Sequence, residues 1–360
     1  MNSNRREIRA GWIPASALLT GLLTVAGLTA ARAQTSPAPV RPLVCGVSLI
    51  DGAYPGWFGA GTDPVAALDA FAASTGGRYP GSFSLWSNWE TPGPAPRGRD
   101  FPSFTLLDAL SRRGVTPMIF WEPTGDAAIN ENIAAGKYDA YVRAWARRAK
   151  GWGRKVIVRF AHEQNGNWFP WSPGKNGNTG DSYIRMWKRV VRLVRNAPSA
   201  PLPGEGAKNV AFFWCPNATN TAGRSFLESW PGDDWTQYVG IDGYKWSNDG
   251  GGSMRGMFEN PIRTLRNLPS RSAAGGTSNK PIIIGETGIA AGGLQSNRAA
   301  WIREGYRDLR ARWGKLYGIT YFNIDMSVIN GQPNWTLAGR PSILGAYRNI
   351  VNDPAFQGRY

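Results

Sequence analysis

Two glutamates stand where a chain can least cheaply place a charge. Glu286 directly follows Ile282-Ile-Ile-Gly285, and Glu163 follows His162 just past the apolar run Val156-Ile-Val-Arg-Phe160. A carboxylate beside a buried strand is costly unless it is paired or used. Two such groups facing each other can cleave a glycosidic bond: one protonates the leaving oxygen, and the other attacks the anomeric carbon or activates water. A separation of about 5–5.5 Å gives retention of configuration, and about 6.5–9.5 Å gives inversion. His162 is the only histidine of the chain; it adjoins Glu163 and leads into Trp168-Phe-Pro-Trp171, so it is assigned to the site.

Such a pair needs elements that bring distant segments together. Short β-branched or aromatic runs at 44–48, 83–86, 118–121, 156–160, 210–214, 239–244, 282–285 and 319–322 alternate with helical patterns at 64–74, 103–113, 138–150, 183–195, 261–268, 298–312 and 342–351. A fifth helix, around 226–230, is weakly marked. Thr62, before Asp63 and Pro64, is the expected cap of the first helix. The order predicts one α/β domain, a single (β/α)8 TIM barrel, with catalytic groups at the C-terminal ends of the strands. Just past successive strand ends stand Trp86 and Trp89, Trp121 and Glu122, His162 and Glu163, Trp214 and Asn217, Asp242 and Tyr244, Glu286, then Asn323 and Asp325. Gly285 is expected to let neighbouring groups approach the backbone.

Other chemistries find few parts. With one His and two distant Cys, no metal is expected, nor any cofactor: dinucleotide and phosphate-loop glycine motifs are missing, as is a Gly-x-Ser-x-Gly elbow. No nucleic-acid-binding motif is found. Cys45 and Cys215 fall on strands one and five, across the barrel from each other, so both are expected as free, buried, apolar-like thiols.

The segments Arg159-Phe-Ala-His-Glu-Gln-Asn-Gly-Asn-Trp-Phe-Pro-Trp171, Asn178-Thr-Gly-Asp-Ser-Tyr183, Trp214-Cys-Pro-Asn217, Gly240-Ile-Asp-Gly-Tyr-Lys-Trp246 and Gly285-Glu-Thr-Gly288 together resemble glycoside hydrolase family 26. The resemblance implies a retaining (β/α)8 endo-β-glycoside hydrolase with Glu163 as acid/base and Glu286 as nucleophile, supported by His162 and Tyr244. The substrate it implies is β-mannan or mixed-linkage β-1,3-1,4-glucan. Gln164 replaces the usual Met, and Lys245 the usual Asn, which brings a positive charge near the expected cleft. Flat aromatic faces stack on sugar rings; Trp168, Trp171, Trp246 and Trp121 are the expected substrate contacts, with Asn217 and Asp242, and Trp57, Trp86, Trp89, Trp214 and Trp335 also fall near strand ends. Trp145, Trp187, Trp301 and Trp313, at helical positions, are assigned to the core.

Arg5, Arg6 and Arg9, the uncharged stretch 15–31 and Ala31-Arg-Ala33 read as a cleaved secretory signal over residues 1–33. Residues 34–42 form a Pro-rich leader, and 43–360 the catalytic domain, exported to the periplasm or beyond, monomeric, with no membrane span after the signal. The formal charge of +16 leaves +13 on residues 34–360, a field that favours anionic partners or serves general solubility. Two readings therefore compete with the neutral-glycan hydrolase: an enzyme trimming an acidic exopolysaccharide, and a glycan-binding barrel without turnover.

Overall fold

The computed structural model describes residues 41–49, 63–89, 100–196, 204–220, 223–246, 252–271, 275–291, 295–327 and 332–360. The signal segment, Thr62 and Trp57 lie outside these. Strands β1 (Val44–Ser48), β2 (Ser82–Asn88), β3 (Thr116–Glu122), β4 (Val156–Phe160), β5 (Val210–Trp214), β6 (Tyr238–Lys245), β7 (Ile282–Ile289) and β8 (Leu316–Phe322) pair in parallel, each with the next, and β8 closes on β1. Around this barrel pack α1 (Pro64–Ser74), α2 (Phe104–Arg112), α3 (Ile129–Ala134), α4 (Asp139–Trp152), α5 (Gly180–Arg195), α6 (Met254–Arg266), α7 (Gln295–Arg312) and α8 (Pro341–Val351). Among the described residues between β5 and β6 only short 3-10 turns, Phe226–Ser229 and Asp233–Trp235, take the place of a helix, as the weak pattern there anticipates. Among the described residues no helix is long and apolar enough to cross a membrane.

Helix starts follow local chemistry. Asp63 caps α1, its side chain accepting from the Val65 amide, with Pro64 supplying the first helical φ. In α5, Thr179 and Ser182 form a reciprocal capping box, which moves the start three residues ahead of the expected Tyr183. The expected start of the sixth helix at Pro261 is corrected: Ser253 caps it, accepting from the Gly256 amide, and Pro261 lies inside.

The apolar groups divide into a large layer between barrel and helices, a small plug inside the barrel (Met118, Ile157, Phe213, Cys215, Ile283), and a cluster at the mouth around Trp335. Strands β6 and β7 approach very closely. A Cβ added at Gly240 would stand 1.9 Å from the Ile283 carbonyl oxygen, so only glycine fits there. Their register slips between Ile241 and Asp242, which sets Asp242 opposite Glu286; such irregularities re-aim side chains next to active sites. Both expected cysteines are free and buried.

Candidate active site

At the C-terminal ends of β4, β6 and β7, carboxylate oxygens of Glu163, Asp242 and Glu286 lie within 4.8 Å of one another, all three side chains buried. An arginine holds them. Arg159, fully buried within β4, donates to Asp242 through Nη2, while its Nη1 lies 3.3 Å from Glu286 Oε1, and its guanidinium lies 4.1 Å above the Phe120 ring. A buried guanidinium without anions would be prohibitive; here two carboxylates and an aromatic face offset its desolvation. The sequence signal for Arg159 was present: a lone charge inside Val156-Ile-Val-Arg-Phe160, flanked by apolar residues.

Glu286 also accepts a hydrogen bond from the Tyr244 hydroxyl. Burial pushes its carboxyl up to about 7, although Arg159 and Tyr244 both pull downward. Contrary to expectation, Glu286 does not end its strand. β7 runs on to Ile289, so the carboxylate projects from a hydrogen-bonded backbone rather than from a loop.

Glu163 is positioned quite differently. Ala161 and Glu163, both non-glycine, have φ of 44° and 50°, in the left-handed region that costs an L-residue of order 1–3 kcal/mol. Surrounding bonds hold this turn: the Tyr183 hydroxyl of α5 donates to the Ala161 carbonyl at 2.9 Å, Trp171 Nε1 to the His162 carbonyl at 2.9 Å, and the Glu163 amide to the Cys215 carbonyl at 2.8 Å. The Glu163 side chain accepts from Asn217 Nδ2 at 2.7 Å and from Trp168 Nε1 at 2.9 Å. Burial raises its pKa above the ordinary glutamate value, while Asn217, Arg159 and Trp168 favour the ionised form. Trp168 in turn lies against Gly166, where a Cβ would come within 2.4 Å of the indole.

Tyr244 meets its expected carboxylate; His162 does not. The two left-handed residues on either side of His162 part it from Glu163. Its Nε2 lies 4.0 Å from Glu122 Oε1, its Nδ1 has no hydrogen-bond partner among the described residues, and the ring edges against Phe120 and Phe169. Burial, then Arg159, hold His162 well below its ordinary pKa, so it is neutral.

The aromatic assignments separate by exposure. Trp168 and Trp246, 42% and 38% exposed, flank the mouth, and Trp246 packs edge-on against Trp335. Trp171 and Trp121 are corrected: both are fully buried, Trp171 as a clamp on the His162 carbonyl and Trp121 stacked on Trp145 with its Nε1 on the Tyr141 hydroxyl. An indole consumed by packing on both faces has none left for a sugar. Trp89 and Trp214 are likewise buried, as are the four helical tryptophans. Asp242 is corrected too: fully buried between Arg159 and Cys215, it anchors the site rather than touching substrate, and Asn217 is first a partner of Glu163. Cys215 is more than an inert apolar group, because its thiol donates to Asp242 Oδ1 at 3.1 Å. Gly285 does what its place suggests: a Cβ there would stand 2.7 Å from both Asp242 Oδ1 and Cys215 Sγ. Lys245 follows Tyr244 on β6, and alternation turns it to the other face; its ammonium lies by Gly252, 3.8 Å from where a Cβ would stand.

Known proteins share this architecture. A mannanase of Bacillus subtilis aligns over 88% of this chain and 86% of its own with a TM-score of 0.58 at 14% identity, and a β-mannanase from Bacteroides ovatus over 88% and 90% with 0.56 at 19%. By sequence the chain is 32% identical over 249 residues to endoglucanase H of Acetivibrio thermocellus, covering 68% of this chain and 25% of that protein. It is 24% identical over 237 residues to a mannan endo-1,4-beta-mannosidase of Bifidobacterium adolescentis, covering 62% and 22%. The chain thus spans about a quarter of the length of these two relatives. The family model for glycosyl hydrolase family 26 matches residues 128–321, more than half of the chain and the whole stretch that carries Arg159, Glu163, Asp242 and Glu286, and the chain belongs to that family.

Proposed function

We propose that this barrel hydrolyses internal β-linkages of a neutral polysaccharide with retention of configuration, Glu163 serving as acid/base and Glu286 as nucleophile. The observation that carries the reading is the closeness of the two carboxylates, within 4.8 Å, on the short side of the spacing that leaves no room for a water between them and the sugar. The cation of Arg159 and the Tyr244 hydroxyl stabilise charge on Glu286, while burial lets Glu163 hold a proton and the donors Asn217 and Trp168 stabilise the carboxylate it becomes. In the first step Glu286 attacks the anomeric carbon as Glu163 gives its proton to the departing oxygen. In the second, Glu163 takes a proton from water, which displaces Glu286 and restores both groups.

Neutral substrate is favoured over an acidic one because Arg159, the cation beside the carboxylates, is consumed by Asp242 and Glu286, and Lys245 lies on the other face of β6. The more similar of the two named relatives is an endoglucanase, which puts a β-glucan first and a β-mannan second. Reducing-end release from mixed-linkage β-glucan, β-mannan and an acidic glycan, with proton NMR of the first-formed anomer, tests the reading. β-Anomer from a neutral glycan is expected. α-Anomer would exclude retention; cleavage of the acidic glycan alone would exclude the substrate class; binding with no cleavage of any glycan would leave a lectin-like barrel. Glu163→Ala should slow natural glycans by roughly 10²–10⁴-fold but spare substrates whose leaving group needs no proton, and Glu286→Ala should stop both.

A further inference from the structure

The positive charge is not spread evenly over the barrel. In a parallel barrel every connection from a helix to the next strand lies at the end opposite the mouth. Each of the six such connections carries Lys or Arg: Arg78, Arg113, Arg154 and Lys155, Lys208, Arg271 and Lys280, Lys315. Glu205 is the one acid among their described residues. The described connections from strand to helix or 3-10 turn, at the mouth, show the opposite balance: Asp63, Asp100, Asp126, Glu163 and Asp325 against Lys175, Arg224 and Arg340.

Several of the base cations have no acid to neutralise them among the described residues. Among the described residues Arg78, Lys208, Arg271, Lys280 and Lys315 form no ion pair, and all but the half-buried Lys280 are exposed. Two of them crowd neighbouring cations. Burial first, then Arg271 and Arg192, hold the Lys188 ammonium below its ordinary pKa, and burial and then Arg78 do the same for Arg359. Self-repulsion of this kind costs stability and is relieved by a negatively charged partner.

We propose that the base of the barrel docks on a flat anionic surface, that of a bilayer containing acidic phospholipids, with the catalytic mouth turned away from it. The shape of the patch selects a surface over a strand. The cationic connections enter six of the eight strands of a closed barrel, so a plane engages them together, whereas a single polymer chain would cross only two or three. The acidic balance at the mouth sets the orientation, since that end is repelled by the surface that attracts the other. Docking of this kind does not depend on the hydrolytic reading and is tested apart from it.

The test is sedimentation of the full-length chain with phosphatidylcholine vesicles, with and without roughly 30% phosphatidylglycerol, at about 50 and 300 mM salt. Arg5, Arg6, Arg9 and Arg32 add a salt-sensitive affinity of their own, so the change in preference on substituting the base, between proteins that share residues 1–33, isolates the base. At the lower salt, binding to the anionic vesicles should be at least about tenfold stronger, and the preference should collapse at the higher. Arg78→Glu, Lys208→Glu, Arg271→Glu and Lys315→Glu together should lower the preference at least about tenfold, four cations at about fivefold each allowing up to roughly 600-fold, with turnover of a soluble glycan unchanged. Should that protein not fold, the four Gln substitutions serve instead and should lower the preference in the same direction. An undiminished preference in the substituted protein, or its absence in the unsubstituted one, overturns the proposal. So does anion-selective binding confined to a soluble acidic polysaccharide.

Discussion

Burial pushes up the carboxyl groups of both Glu163 and Glu286 and Arg159 pulls both down, yet the groups in contact differ in kind: a guanidinium and a phenol on Glu286, an amide and an indole on Glu163. The indole is the adjustable one. Trp168 is 42% exposed, and its N–H stabilises the ionised Glu163 that the second step needs. Trp168→Phe removes that donor, so the pKa of Glu163 should rise and the basic limb of kcat/KM should move to higher pH. An unmoved limb would mean that the bond is not kept in solution. Glu286 carries a stability cost of definite sign. Its folded pKa of about 7 lies above the ordinary 4.5, so the folded state is not penalised below pH 4.5, is progressively penalised as pH rises from there to 7, and is fully penalised above. Glu286→Gln should therefore unfold at higher denaturant than the wild type at pH 8, by about 3 kcal/mol, and with no such gain at pH 4.5. An equal difference at both pH values would assign the effect to packing instead.

At the scale of elements, the approach of β7 to β6 makes the site. Gly285→Ala puts a methyl 2.7 Å from the Asp242 carboxylate and the Cys215 thiol, both backed by packed groups, and should cost about 1–3 kcal/mol in unfolding and most of the turnover. Near-native stability with full activity would show that the strands can part. Sequence carried this element well in one respect and poorly in another. The triple isoleucine and the glycine located strand and carboxylate, because burial and close approach leave compositional marks. The slip between Ile241 and Asp242, which pairs Asp242 with Glu286, leaves none, since register belongs to two strands at once. For the same reason Arg159 was legible only as an oddity within its strand. The left-handed turn at Ala161 and Glu163 contradicts local preference outright; it exists through Tyr183, Trp171 and Cys215, which lie on other segments. Helix boundaries erred where capping outweighed Pro261 as a marker, Ser253 being eight residues earlier.

The whole molecule was the most legible level, because eight alternating patterns admit few closures, and the one missing helix is the one whose pattern was weak. The placement of charge could be found only afterwards, once each connection was known to lie at one end or the other. Closure has a further consequence through its two sulfurs. Cys45 on β1 and Cys215 just past β5 are buried on opposite sides of the barrel, with burial holding both thiols well above the usual range, Cys45 up to about 12. Neither can react with an alkylating reagent until its own half of the barrel opens, so the pair forms a built-in clock for unfolding. If the barrel opens as a single cooperative body, the two sites should be labelled at one common rate across a denaturant series, as read by peptide mass spectrometry. If it opens by halves, Cys45, held between β8 and β2, and Cys215, held by Asp242, should keep different times.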